Sequence, residues 1–389
     1  MQMTEFDNIR PYSDEEAVEA LGRVSRHALI PIISKYLFPK EQSNILAKAL
    51  RDVKDIDGFQ DNIMLGAVNS ILAKTSEGFS VSGQENLLKL KGCKFLAISN
   101  HRDIVLDPAL IQYALHDCGL PYSQVCVGNN LLSNKLVEDL MRSNRMITVI
   151  RGISARELYL SSQILSKYIR QTITSGESSV WIAQREGRTK DGRDTTEQGL
   201  LKMFDLSGEK GFVENFKELN ILPLSISYEY ESCDSRKARE LVVKSMNGGS
   251  YTKKRNEDLH SILTGIRQRK GHIHLSIGEP LTAQEIEEAS AFNGNDRYQA
   301  VRRALDRRII SGYKLFKTNY MAYDMLKGTH SYLGVKYLPD DVTAFSEYVN
   351  HKLGKLEKRL DRESLRQVFL GIYANPVESK LDIDNSINI

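Results

Sequence analysis

Six short apolar runs between residues 95 and 278 constrain the fold of this chain more than any other feature of its sequence. They read FLAIS (95–99), QVCVG (124–128), MITVI (146–150), SVWIA (179–183), ILPLSISY (221–228) and HIHLSIG (272–278). Each has the length of a buried strand. Helix-patterned stretches lie between most of them: ALIQYAL, LVEDLMR, SARELYLSSQILSKYIRQTI and SRKARELVVKSM. Connections of that length serve as crossovers between parallel strands. The alternation therefore predicts an α/β fold with a mainly parallel central sheet flanked by helices.

The flanks read differently. Residues 14–75 carry helical periodicity in EEAVEALGRVSRHALIPIISKYLF, KEQSNILAKALRDV and FQDNIMLGAVNSILAKT, broken at Pro39 and at DIDG. Beyond residue 282 the pattern is helical again (AQEIEEA, RYQAVRRALDRRIISGYKLF, VTAFSEYVNHKLGKLEKRL, ESLRQVFLGIY) and ends in a polar tail, LDIDNSINI. The expected division is an N-terminal helical region over 1–77, an α/β domain over 78–285 and a C-terminal helical region over 286–389. A chain of 389 residues has room for this, at roughly 100–200 residues per domain. With 53 basic and 50 acidic residues the total charge selects no partner, and nucleic acid is not expected as one. The four cysteines form no CxxC pair, which suits a reducing compartment and a cytoplasmic setting. No run approaches the ~18 apolar residues of a membrane span, so membrane contact is expected to be peripheral, on the inner face.

The stretch SNHRDIVLDPALI places His101 where the first run ends and a helix begins, at the sheet rim where ligands collect in open α/β folds. Asp103 and Asp107 follow at close range. An imidazole serves as a general base when a carboxylate on its other nitrogen fixes the tautomer, and a hydroxyl is the natural substrate for such a base. Asp107 is the first choice of partner and Asp103 the reserve. Asp107 ahead of Pro108 also reads as a helix N-cap with proline at the first helical position. The HRD tripeptide suggests a kinase catalytic loop, but Pro108 stands where that loop needs Asn, and no DFG or GxGxxG accompanies it. No GxSxG elbow supplies a covalent nucleophile. A metal held by His101, Asp103 and Asp107, or by His272 and His274, is disfavoured, and no metal or resident cofactor is expected.

A second cluster, QREGRTKDGRD, follows SVWIA. Its Arg185, Arg188, Lys190 and Arg193, interleaved with Gly187 and with Glu186, Asp191 and Asp194, can wrap a phosphate or form a solvated charged loop. Arg151, ending MITVIRG, faces the same rim. The segments HALIPIISKYLF (27–38) and RRIISGYKLFKTNYMAYDML (307–326) mix apolar, aromatic and basic residues, suiting either a lipid interface or helix packing.

In these blocks the chain resembles the glycerol-phosphate and lysophosphatidate acyltransferase superfamily, and its larger members with an extra helical region before the catalytic domain. SNHRDIVLD is similar to the first block, VGNNL with MITVIRG to the second, WIAQREGRTKDG to the third and ILPLSISYE to the fourth; FSVSGQENL resembles the lead-in. Two spacings depart from the family: five residues separate His101 from Asp107 in place of four, and Glu186, Gly187 and Arg188 are contiguous. The resemblance implies an O-acyltransferase with His101 as base and Asp107 as its orienting acid. It implies an acceptor phosphate held by Arg151, Gly187, Arg188, Lys190 and Arg193, with Asp103, Glu186 and Pro223 in support. The co-substrate would be acyl-CoA or an acyl carrier protein thioester, the acceptor lysophosphatidate, and the setting a phospholipid membrane surface in phospholipid synthesis. Glycerol 3-phosphate and a lyso-amino-acid lipid are the alternative acceptors; a lipid-binding or scaffold protein is the non-enzymatic alternative.

Overall fold

The computed structural model describes residues 4–387 except Lys91, Ser133 and Ile153. Seven strands form one sheet: β1 (Ser76–Ser82), β2 (Leu96–Ser99), β3 (Gln124–Gly128), β4 (Met146–Val149), β5 (Val180–Ala183), β6 (Leu222–Tyr228) and β7 (Gly271–Ile277). Their spatial order is β1-β7-β6-β2-β5-β3-β4, and every pairing is parallel except β6 with β7. The six apolar runs all become strands, within a residue of the expected ends.

β1 is the strand that the apolar pattern passes over. Its sequence SEGFSVS is half serine and glycine and it lies at the sheet edge, partly exposed, so it needs neither a continuous apolar run nor strict alternation. It follows helix Leu65–Thr75 without a gap. The boundary expected between residues 77 and 78 therefore falls inside β1, and that between 285 and 286 falls inside helix Ala283–Ser290.

Both faces of the sheet are covered, as parallel strands require. On one face Leu96, Ile98, Val180 and Ile182 pack against helices Ala155–Thr174, Gln198–Leu206 and Asp296–Ser311. On the other, Ala97, Trp181, Leu222, Leu224 and Ile226 meet helix Leu106–Asp117. Two further apolar cores lie away from the sheet. One unites the N-terminal helices through Leu21, Ile30, Leu50 and Phe59. The other joins helix Asp234–Met246 to helices Lys317–Lys327, Pro339–Gly354 and Arg362–Ile387.

Burial decides for helix packing in 307–326: Ile309 is 1% exposed, Met321 2% and Ala322 0%, so these apolar residues are core. In 27–38 Ile30 is buried while Leu29 and Ile32 are exposed, the latter at 65%. The polar tail continues helix Arg362–Ile387, and Asn388 and Ile389 lie outside the described residues. Among the described residues no helix is long and apolar enough to cross a membrane.

Candidate active site

The site grows from the place where the sheet ladder stops. β2 pairs with β6 only as far as Ser99 opposite Leu224, but β6 continues to Tyr228. Asn100 bridges the gap with its side chain, accepting from the Ile226 amide at 2.8 Å and donating to the Ile226 carbonyl at 3.0 Å. On the other side the Gln184 amide donates to the Ser99 carbonyl and the Thr189 amide to the His101 carbonyl, both at 2.8 Å. The loop after β5 is thus tied to the loop after β2, as ligand sites at the carboxyl ends of parallel strands require.

His101 Nδ1 lies 2.8 Å from Asp107 Oδ2, and Asp107 is wholly buried. The same oxygen accepts from the amides of Arg102 (2.5 Å) and Asp103 (2.9 Å), while Oδ1 accepts from the Tyr228 hydroxyl (2.7 Å). The His101 ring meets Trp181 edge-on with centroids 5.7 Å apart, and Trp181 donates to Ser99 Oγ. With Nδ1 held by the carboxylate, Nε2 has no partner among the described residues, and the side chain is partly exposed.

The structure divides the two aspartates by task. Asp103 Oδ1 accepts from the amides of Val105 (2.9 Å) and Leu106 (2.8 Å), and Oδ2 accepts from the Ser232 hydroxyl. Asp103, and not Asp107, accepts from the first helical amide; the N-cap position is Val105, and Asp107 sits inside the first turn of Leu106–Asp117. The extra residue between His101 and Asp107 is accommodated by this capped turn. Burial alone would raise the Asp103 carboxyl; the Leu106 amide, the Ser232 hydroxyl, the Val105 amide and the Arg188 charge outweigh it and hold the group below its usual range. Helix Glu257–Arg267 packs directly on this cap: a methyl group at Gly265 would land on Asp103 Oδ2, well inside contact distance. Gly265→Ala is expected to cost about 1–3 kcal/mol by overpacking, read as a lower denaturant midpoint at unchanged m.

Arg102, the middle of HRD, turns away from the rim into a buried network. Its guanidinium meets Asp194 at 2.5 Å and Glu231 at 3.8 Å. Asp194 also accepts from Tyr313 (2.5 Å), Asn100 (3.3 Å) and the Thr189 hydroxyl. Lys237 joins Glu231 at 2.5 Å and the Arg102 carbonyl at 3.0 Å. Burial opposes the Arg102 charge, but Asp194 and Glu231 prevail and its pKa is raised.

The cationic loop splits in two. Gly187 turns it with a left-handed φ of 70°. Arg188 is 9% exposed, and its Nη1 is buried with no hydrogen-bond partner among the described residues. Arg151 lies beside Gly128 and 3.8 Å from the exposed Glu186. Of the other cations, Arg185 keeps a buried Nε without a hydrogen-bond partner among the described residues, while two are engaged by carboxylates. Lys190 pairs with Glu240 at 2.5 Å, and burial, then the Arg188 charge, lowers its pKa. Arg193 pairs with Glu378 on helix Arg362–Ile387, where Asn375 also donates to the Asp191 carbonyl at 2.7 Å. Gly192 crosses Ile372 so closely that a Cβ there would strike its carbonyl. Lys190 and Arg193 are therefore each paired with a carboxylate and help anchor the loop. Pro223 sits within β6 opposite Ile98, away from the rim, packed on Gly278.

The two histidines of HIHLSIG do not share ligands. His274 lies between the hydroxyls of Ser80 (2.8 Å) and Ser82 (2.9 Å), while His272 meets Glu229 at 2.9 Å and Glu77 at 3.9 Å. Asp103 and Asp107 direct their oxygens to amide, hydroxyl and imidazole donors, and among the described residues the side chains clustered as metal ligands would be are Glu77, Glu229 and His272 instead.

The sequence pattern missed Tyr228, Trp181, Asn100 and Asp194. Tyr228 ends the quoted run ILPLSISY, and its place as the last apolar-run residue at the rim was the available signal.

Comparison with known proteins gives the same region. The family model described as Acyltransferase matches residues 78–229, from the lead-in segment to the residue after Tyr228. Curated relatives include the glycerol-3-phosphate acyltransferases of Xylella fastidiosa (strain M12), 24% identical over 224 residues, and of Pseudomonas fluorescens (strain SBW25), 22% identical over 218 residues. These matches take in 53% and 56% of this chain but only 23% and 24% of the relatives' length. The crystal structure of the 1-acyl-sn-glycerophosphate (LPA) acyltransferase PlsC from Thermotoga maritima overlaps 76% of this chain and 93% of its own, at 14% identity and a TM-score of 0.39, too loosely to align individual residues. Residues 78–229 of this chain thus carry the match to the acyltransferase model, and the chain is similar over much of that region to glycerol-3-phosphate acyltransferases.

Proposed function

We propose that this chain moves a fatty acyl group from a thioester, acyl-CoA or acyl carrier protein, to the free hydroxyl of a phosphate-bearing glycerol, with lysophosphatidate as the expected acceptor. The observation that carries this reading is the His101–Asp107 pair together with Arg188, whose buried Nη1 has no partner among the described residues and whose loop is tied to the His101 carbonyl through the Thr189 amide. His101 Nε2 accepts the hydroxyl proton as the acceptor oxygen bonds to the thioester carbonyl carbon. The carbon–sulfur bond then breaks, and the proton passes from the imidazolium to the departing thiolate. Asp107 keeps Nδ1 protonated and faces the imidazolium while it exists. Arg188, with Arg151 across the mouth, holds the acceptor phosphate so that its hydroxyl lies next to the base. Buried guanidinium donors are normally paired, and a phosphate oxygen satisfies this one.

A second reading has its own support: the matched relatives are named glycerol-3-phosphate acyltransferases, which favours the smaller acceptor. Side-by-side catalytic efficiencies for glycerol 3-phosphate and lysophosphatidate, with both donors and with anionic vesicles present, decide between them. The exposed Leu29 and Ile32 fit a peripheral approach to a membrane from the cytoplasmic side. Lipid binding with no acceptor-dependent acyl transfer across that panel would leave a lipid-binding protein as the better account.

Arg188→Ala is expected to lower kcat/KM about ten- to a hundredfold for phosphate-bearing acceptors. Thioester hydrolysis without acceptor should be little changed. Equal losses for a lyso-amino-acid lipid would show that Arg188 does not read phosphate.

A further inference from the structure

We propose that Tyr228 is a positioning residue for the His101–Asp107 pair, fixing the carboxylate from the side that His101 does not reach; this rests on the acyl-transfer reading above. The two oxygens of Asp107 are unequally supplied. Oδ2 takes three donors, His101 Nδ1 and the amides of Arg102 and Asp103, whereas Oδ1 takes the Tyr228 hydroxyl. Without that hydroxyl, Oδ1 would be a buried anionic oxygen with no other donor among the described residues.

The fold delivers this hydroxyl deliberately far. Tyr228 is the last residue of β6, four positions beyond the last β2 pairing, and it is held from the other side opposite Ile273 of β7. It is buried, so its ring cannot swing to solvent. Burial first, then the charges of Asp107 and Asp103, hold its phenol well above the ordinary tyrosine value. The group is locked as a donor, and its one proton goes to Asp107.

The charges around the pair come from three elements: the loop after β2 supplies His101 and Asp103, with Arg102 facing Asp107; the segment after β6 supplies Glu231, which acts on Tyr228 and Arg102; and the loop after β5 supplies Arg188, which acts on Asp103. Of the side chains among these, His101 and Tyr228 are the two that hydrogen-bond to the carboxylate. The chain His101–Asp107–Tyr228 therefore sets both the tilt of the imidazole and how much negative charge faces it. Removing the hydroxyl returns charge to the carboxylate and favours the imidazolium. A base must be neutral to act, so the acid limb of the rate profile moves to higher pH.

The test uses the full chain carrying Tyr228→Phe, which keeps the ring and deletes the hydroxyl. Expected are a fall in kcat of about tenfold to a hundredfold, KM for both substrates near wild type, and an acid limb displaced to higher pH. In a double-variant cycle the loss should vanish on an Asp107→Asn background, because the hydroxyl acts through that carboxylate. Site-specific 3-fluorotyrosine at position 228, a stronger donor of the same shape, should move the limb the opposite way and serves if Tyr228→Phe folds poorly. The His101 ring titration, followed by NMR and assigned from the signal missing in His101→Gln, reads the same displacement without turnover. An unmoved titration, or losses that add across the cycle, would overturn the role of Tyr228. A displaced titration in a chain that transfers no acyl group would overturn the reaction and leave the linkage standing.

Discussion

Replacing His101 with alanine is expected to slow acyl transfer by about 10²–10⁴-fold, the usual weight of a general base, while the unfolding transition stays close to wild type. The stability half of this expectation comes from Asp107. When the imidazole is gone, Oδ2 still accepts from the amides of Arg102 and Asp103, and Oδ1 from Tyr228, so no buried charge is orphaned. The imidazole itself touches Trp181 only by its edge and is partly exposed, so little packing is lost. Initial rates by mass spectrometry of the acylated product, alongside thermal unfolding, check both halves. Activity within tenfold of wild type would remove His101 from the chemistry.

Asp194→Ala is expected to have the opposite profile, a stability loss of about 3–5 kcal/mol. Arg102 is almost wholly buried, and Asp194 is its close partner; the next carboxylate, Glu231, stands at 3.8 Å and is already shared with Lys237. Asn100, Thr189 and Tyr313 would lose an acceptor at the same time. The cost arises mainly from the unpaired guanidinium, so the double variant Asp194→Ala/Arg102→Met should recover much of the loss. Urea unfolding of the two variants distinguishes this from a loss of packing, in which the second substitution would add to the first.

The sheet was legible because a strand buried on both faces leaves a compact mark, as in LAIS of β2, where all four residues are buried. An edge strand leaves a weaker one, and β1, with Ser76, Ser80 and Ser82 among its seven residues, escaped. Strand direction is fainter still. The stretch between β6 and β7 holds two helices, and a connection of that kind returns either way, so the antiparallel β7 had no local signature. At the site, residue type pointed to His101 and Asp107 because their chemistry is uncommon. For Lys190 and Arg193 it could not separate a cation that anchors a loop from one that binds phosphate, since Glu240 and Glu378 stand beside them only in the fold. Those partners lie far along the chain, as does Tyr228 from Asp107, and no spacing rule reaches across such distances.

The grip of helix Arg362–Ile387 on the loop around Gly192 also sets a schedule. A ribosome adding ~5–20 residues per second reaches Ile372, Asn375 and Glu378 on the order of ten seconds after it has made Asp191, Gly192 and Arg193. The strands that frame the rim, β2, β5 and β6, are all made before that helix and can pair while synthesis continues. The loop carrying Arg188 gains its outer support only when the helix docks. A nascent chain can therefore hold a paired sheet beside a loop that still lacks its outer support at Gly192.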